Sequence, residues 1–226
     1  MELSLFKEFK NIIVLDTETS GLSFRDDEII ELAMLRVEKQ ASDIRIMDEY
    51  DEFIRLSDGK ILPEKISQLT GITPFMLETQ GVQKPEAAAA LEKMFSVEKP
   101  LVVAYNAQFD MCFLYYFLAK YGDASVLKNI RMLDAMTVYR DRRPFPHKLC
   151  NAIEQYRVDA VNSHRAIDDT KAAFKLLMAM ADEKDDLMNY INLFGYNPKY
   201  GVSGSKISSV TYKPQGYEPG IPVYEL

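Results

Sequence analysis

Asn11-Ile-Ile-Val-Leu-Asp16 is an unbroken apolar run closed by an acid, the pattern of a short strand buried on both faces. Glu28 to Val37 and Ile44 to Leu56 continue the β signal, separated from it by turn residues at Ser20-Gly21 and followed by Asp58-Gly59. The pattern then changes. Pro63 to Thr79 predicts short helices around Gly71, and Pro85 opens a helix that runs to Phe95, with proline in its first turn. Pro100 to Tyr105 predicts a second buried strand. Ala107 to Tyr121 has no breaker, is rich in Leu, Phe and Tyr, and meets Gly122, so it predicts a buried helix with a glycine stop. Ile130 to Met136 predicts a strand, and His147 to Tyr156 and Arg165 to Ala181 predict helices. Three β-rich segments followed by alternating helix and strand indicate an α/β domain built on a mixed sheet.

Composition divides the chain near residue 187. The last 40 residues hold five of the ten Gly, four of the ten Pro and six of the thirteen Tyr, with three Lys against two Glu. Residues 1–186 keep 24 basic against 32 acidic side chains. The expected organisation is therefore a domain over 1–186 and an irregular extension over 187–226, too aromatic for a plain linker. A net charge of −7 excludes a protein that coats duplex phosphates with a basic face, although metal ions can supply positive charge locally. Cys112 and Cys150 form no C-x-x-C pair and suit reduced thiols in a cytoplasmic protein. No signal peptide is evident, and the run Phe113 to Ala119 is far short of the roughly 20 residues a membrane span needs.

The acids carry the chemistry. Asp16-Thr-Glu18 is a D-x-E, and about 1.3 of these are expected by chance in such a chain, so the pattern alone decides nothing. Its placement decides more: both carboxylates share one face at a strand end, where they repel unless a cation or proton lies between them. Asp110 opens an otherwise apolar helix, a place the helix dipole alone would favour. Asp168 and Asp169 are separated by helical geometry. Asp168 has Lys171 and Lys175 on its side; Asp169 has Ala172, Ala173, Leu176 and Met180 and faces the core, where a carboxylate needs a partner. His164 precedes this helix. Four acids and an imidazole, which ordinarily titrates near neutrality, suit two-metal phosphodiester hydrolysis with hard oxygen ligands and a proton acceptor.

With these residues in this order, the chain resembles the DEDDh family of 3′–5′ exonucleases, the group containing the proofreading subunit of bacterial DNA polymerase III. The motifs are Val14-Leu-Asp-Thr-Glu-Thr-Ser-Gly-Leu22, Asn106-Ala-Gln-Phe-Asp110 and His164-Arg-Ala-Ile-Asp-Asp169. The resemblance covers about residues 8–182 and implies an RNase H-like α/β fold, a five-stranded mixed sheet flanked by helices. It implies Asp16, Glu18, Asp110 and Asp169 as ligands of two divalent ions, Mg²⁺ or Mn²⁺, and His164 as general base. It further implies substrate contacts from Thr17, Thr19, Leu22 (a wedge against the terminal base), Tyr105, Asn106 and Phe109. Tyr105 stands where relatives often have His, and Thr170 where they often have Ala, which leaves substrate preference open and the metal chemistry intact.

Arg140, Arg142, Arg143, His147 and Lys148 form the densest basic cluster, read either as a solvated loop or, through Arg142 and Arg143, as a phosphate grip. The expected partner is nucleic acid with a single-stranded 3′ end, DNA ahead of RNA, with a polymerase or another replication or repair protein as a possible second partner and no membrane. An RNA or short-oligonucleotide exonuclease is the alternative within enzymes. A non-catalytic nucleic-acid or polymerase-binding module is the alternative outside them, and the intact set of five chemical residues argues against it.

Overall fold

The computed structural model describes residues 3–41, 43–161 and 163–226. Strands β1 (Asn11–Thr19), β2 (Ile29–Gln40) and β3 (Asp43–Phe53) form an antiparallel meander. Helices α1 (Glu64–Thr70), α2 (Pro74–Gln80) and α3 (Lys84–Phe95) lead to β4 (Pro100–Ala104), which returns beside β1 and parallel to it. Helix α4 (Ala107–Tyr121) crosses to β5 (Arg131–Asp134), parallel to β4. Helices α5 (Ala135–Arg142), α6 (Leu149–Gln155) and α7 (Ala166–Glu183) follow. The five-stranded mixed sheet has the order β3-β2-β1-β4-β5.

The side-chain period of two on β1 sets the layers. Ile13 and Leu15 point into a core shared with α3 and α4, through Leu91, Phe95, Leu114 and Leu118. Ile12 and Val14 point into the opposite core with Val138 of α5 and Ala173, Leu176 and Leu177 of α7. Burial on both faces is why this strand reads as an unbroken apolar run. A smaller cluster of Ile30, Leu62, Ile72 and Leu77 holds α1 and α2.

Three local expectations need correcting. The run Ile130 to Met136 is not all strand: β5 stops at Asp134, whose carboxylate accepts hydrogen bonds from the amides of Met136 and Thr137 and so starts α5. An N-capping acid at the end of an apolar stretch converts strand to helix within one residue. The helix expected over His147 to Tyr156 begins only at Leu149. Gly122 does end α4, but in extended backbone rather than a left-handed cap.

The extension is irregular for most of its length, with one short parallel pair, β6 (Leu193–Tyr196) and β7 (Thr211–Pro214). It packs into both cores. Leu187, Tyr190, Leu193 and Val223 join the α7 face, and Phe194 and Val210 join the α4 face. Asn192 closes the free edge of β5: its amide donates to the Met132 carbonyl at 2.7 Å, and its side-chain oxygen accepts from the Met132 amide at 2.8 Å. An open edge would otherwise leave backbone groups unpaired. Among the described residues, no helix is long and apolar enough to cross a membrane.

Candidate active site

The alternation that builds the core also aims the acids. Asp16 and Glu18 continue the Ile12–Val14 face of β1, the face covered by α7, while Thr17 continues the Ile13–Leu15 face covered by α4. Thr17 meets Asp110 there: its amide donates to Asp110 Oδ1 at 3.1 Å and its hydroxyl at 2.8 Å. Both bonds land on one oxygen and fix the rotamer of a buried carboxylate in the first turn of α4. Thr17 is thus a buried support for an acid.

Helix α7 delivers Asp169, which is buried, while Asp168 is half-exposed and accepts from the Ser163 hydroxyl at 2.6 Å. What places α7 is Glu31, which sequence reasoning missed. Glu31 lies opposite Glu18 in the β1–β2 register and has 0% exposure. Its Oε1 accepts from Arg165 Nε at 2.9 Å and Nη2 at 2.7 Å, and its Oε2 accepts from the Ala166 amide, the first residue of α7, at 2.8 Å. One buried carboxylate therefore neutralises Arg165 and caps the helix. His164, just before Arg165, is exposed and sits in the left-handed region with φ +56. Backbone strain of this kind persists where the surroundings over-determine it; here the pinned Arg165 adjoins it.

Asp134, also missed, plays the equivalent part for α4. Besides capping α5, it accepts from the amides of Asn106 at 2.8 Å and Ala107 at 3.2 Å, while Asn106 takes φ +70 and leaves its side chain exposed. The signal for Glu31 was a lone acid inside Ile29-Ile-Glu-Leu; that for Asp134 was an acid between Leu133 and Ala135. Neither could be assigned without the register.

Beyond β1 the chain turns at Gly21, where a Cβ would lie 2.3 Å from Asp27 Oδ2 and would displace that carboxylate. Asp27 closes the loop by accepting from the Ser23 amide. Leu22 on this loop is 80% exposed beside the acids' end of β1. Phe24 secures the loop through edge contacts with Phe109 and Phe113 at 5.8 and 5.1 Å between ring centres.

The acids raise one another's proton affinity. Burial, and then repulsion from Asp110, Glu18, Asp169 and Glu31, holds Asp16 well above the usual carboxylate range. Burial followed by Asp169 and Glu31 pushes Glu18 up to about 8. Burial also pushes Asp110 up, to about 7, against the hydrogen bonds from Thr17. Glu18, His164 and Asp169 each bring one ligand atom within 4.8 Å of the others. Converging carboxylates that cannot all ionise in isolation are a donor set that a divalent cation fits.

The other expected contact residues have partners within the fold. Thr19 is buried and its hydroxyl closes the Gly21 turn. Tyr105 donates its hydroxyl to the His147 carbonyl at 2.9 Å, so it holds the following loop. Phe109 is half-buried in the aromatic cluster under the Leu22 loop. The phosphate grip by Arg142 and Arg143 needs correcting. The Arg142 side chain is 8% exposed and bonded to Asp186 and the Lys184 carbonyl, and Arg143 pairs with Glu183. Those partners lie at the far end of α7 from Asp169, roughly 21 Å along the helix axis. The charges bind the chain to itself because the extension begins there.

The exonuclease family model (RNase T type) matches residues 13–177, a span that includes all four acids and His164. The chain belongs to this family, the DEDD 3′–5′ exonucleases. It is 31% identical over 192 residues to the PolC-type DNA polymerase III of Clostridium perfringens, covering 83% of this chain and 12% of the relative. It is 33% identical over 181 residues to that of Halalkalibacterium halodurans, covering 77% and 12%. The exonuclease chain thus spans about an eighth of the length of these polymerases. Among solved structures, Escherichia coli exonuclease I in complex with a dT13 oligonucleotide superposes with a TM-score of 0.67 at 19% identity, over 78% of this chain and 41% of the other. The zinc-bound form of its single-stranded DNA complex gives 0.69 at 19% identity, over 80% and 42%. The shared fold is RNase H-like.

Proposed function

We propose that this chain is a metal-dependent 3′–5′ exonuclease that hydrolyses the terminal phosphodiester at DNA 3′ ends and releases nucleoside 5′-monophosphates. The observation that carries this reading is the convergence of Asp16, Glu18, Asp110 and Asp169 from three separate elements, with His164 beside them. DNA is favoured because exonuclease I, a structural neighbour, is complexed with DNA oligonucleotides, and because the sequence relatives are DNA polymerases.

The four carboxylates would hold two divalent ions, Mg²⁺ or Mn²⁺, whose chemistry is to clamp the attacking and leaving oxygens of an in-line displacement. The chain's own residues do the rest. Thr17 and Glu31 keep Asp110 and the start of α7 in place, so that the ligands are pre-positioned. An imidazole nitrogen of His164, exposed to solvent at the rim, accepts the proton of the attacking water. Leu22 lies against the terminal base and separates it from its neighbour, and the Asn106 side chain borders the same cleft. The pairing with a polymerase or another replication protein is part of the same proposal, since the curated relatives carry this unit within a much longer chain.

The test is digestion of 5′-labelled single-stranded DNA and RNA of equal sequence with Mg²⁺, Mn²⁺ or EDTA. Stepwise 3′ shortening of DNA that EDTA stops is the expected result. Faster digestion of RNA would replace the substrate class, and no digestion of either would overturn the reading.

A further inference from the structure

The catalytic acids occupy only part of the edge they lie on. Strands β1, β4 and β5 are parallel, so their C-terminal ends share one side of the sheet. Asp16 and Glu18 end β1, Asn106 follows β4 by two residues, and Asp134 ends β5. Ligands of α/β sheets gather along such an edge. From β1 to β5 is two strand spacings, about 10 Å.

At the β5 end the extension builds a wall. Asn106, Asp134 and Arg140 on one side and Tyr196, Tyr200 and Tyr212 on the other enclose a cavity of about 160 Å³. That is roughly five times the volume share of a water molecule, the scale of one heteroaromatic ring. Asn106 is exposed, lines this cavity and opens the motif that carries Asp110, so the cavity lies on the same edge of the sheet as the acids. The wall is tied down. Gly195 accepts from Arg140 at 3.0 Å and donates to Thr137 at 2.9 Å, and Gln108 donates to the Ser203 carbonyl at 2.8 Å and accepts from the Tyr212 hydroxyl at 2.6 Å.

Tyr200 stands at the mouth, 76% exposed. Its backbone is held in a closed turn: the amides of Tyr200 and Gly201 donate to the Asn197 carbonyl, and the Lys199 amide donates to the Asn197 side chain. The Lys199 ammonium lies 5.2 Å from the Tyr200 ring centre. An aromatic ring presented on a tied turn loses little freedom on binding. The charge distribution agrees, since the extension has a net positive charge while the remainder of the chain is acidic. Asp134 is the one acid among the described lining residues, and four backbone amides and the Thr137 hydroxyl already engage it.

Resting on the exonuclease reading above, we propose that this cavity is a second nucleotide subsite, where a base upstream of the 3′ end stacks on Tyr200 and its phosphate meets Arg140 and Lys199. Composition alone does not say which of the six tyrosines in the extension pack and which stay open. Tertiary structure divides them: Tyr190 is buried, and Tyr200 is offered to a ligand.

The test compares kcat/KM on a 12-nucleotide single-stranded DNA with that on the p-nitrophenyl ester of thymidine 5′-monophosphate, which is too short to reach the cavity. Tyr200→Ala should shrink the advantage of the longer substrate about tenfold, within the range of one base–aromatic stack. Tyr200→Phe should restore it. Tyr217→Ala, which removes another exposed tyrosine of the extension that lines a different cavity, should leave the ratio as in wild type. An unchanged ratio in an active Tyr200→Ala protein would overturn the subsite and leave the exonuclease reading standing. Failure of wild type to cleave either substrate with Mn²⁺ would overturn both.

Discussion

At the residue scale, the proposed function separates acids that would hold the metal from acids that hold others in place. Asp110 has one oxygen committed to Thr17 and its carboxyl in the cluster. Asp110→Asn keeps the Thr17 bonds and removes a charge, so kcat should fall on the order of 1,000-fold while the metal-free protein stays folded. Asp168→Ala should retain activity, because Asp168 is tied to Ser163 on the outer side of α7. Steady-state kinetics on one oligonucleotide checks both; an inactive Asp168→Ala protein beside an active Asp169→Ala protein would reverse the assignment of the helix faces. Glu31→Gln leaves Arg165 without its counter-charge and weakens the cap on α7. Because Arg165 is a third exposed, the loss of stability should be near 2 kcal/mol rather than that of a fully buried pair. Turnover should fall about 10- to 100-fold with KM little changed, as expected for a support behind the ligands. Wild-type turnover in a destabilised Glu31→Gln protein would make its role purely structural.

At the element scale, the extension is part of the core. Leu187, Tyr190, Leu193, Phe194 and Val223 are all buried. At about 1.5–3 kcal/mol for each such side chain, their removal matches the whole stability margin of a domain, about 5–15 kcal/mol. Ending the chain at Asp186 should therefore give an insoluble or loosely packed protein, measured as loss of a cooperative thermal transition. Ending it at Gln215 keeps β7 and the Tyr200 turn and removes Val223 and Tyr224. That truncation should lower Tm by several degrees and preserve DNA cleavage. A full-stability protein ending at Asp186 would mean that the packing of residues 187–226 contributes nothing.

At the scale of the whole molecule, the clustered acids set the response to pH and metal. Their carboxyls titrate near 4 when unfolded, while the fold raises Glu18 to about 8 and Asp110 to about 7. A raised acid favours the folded state only while protonated. The contribution is full below about pH 4 and is lost as pH rises through 7 to 8. With EDTA, Tm should therefore fall between pH 5 and pH 8. Saturating Mg²⁺ should raise it at pH 8 by about 5 °C or more and have little effect at pH 5. Proton release on metal addition at pH 7, read by calorimetry in two buffers, is the companion measurement. A metal-independent Tm at pH 8 would remove the cation from the acidic cluster.

Much of this protein is legible in order along the chain. The apolar run of β1 and the buried stripe of α7 that separates Asp169 from Asp168 follow from local period, because strand and helix geometry repeat every few residues, and the ordered motifs carry the resemblance to the family. What depends on distant segments was not legible. The register sets Glu31 opposite Glu18, and the cap that Glu31 then gives the Ala166 amide of α7 joins positions 135 residues apart. The binding of Arg142 to Asp186, which makes a basic cluster structural, needs the chain folded back so that the end of α7 lies beside α5. The same fold-back buries Tyr190 and presents Tyr200 at the end of β5, two tyrosines that composition cannot tell apart. Local sequence determines which elements form and which faces they bury. Long-range packing alone decides which charges are satisfied within the fold and which remain for a ligand.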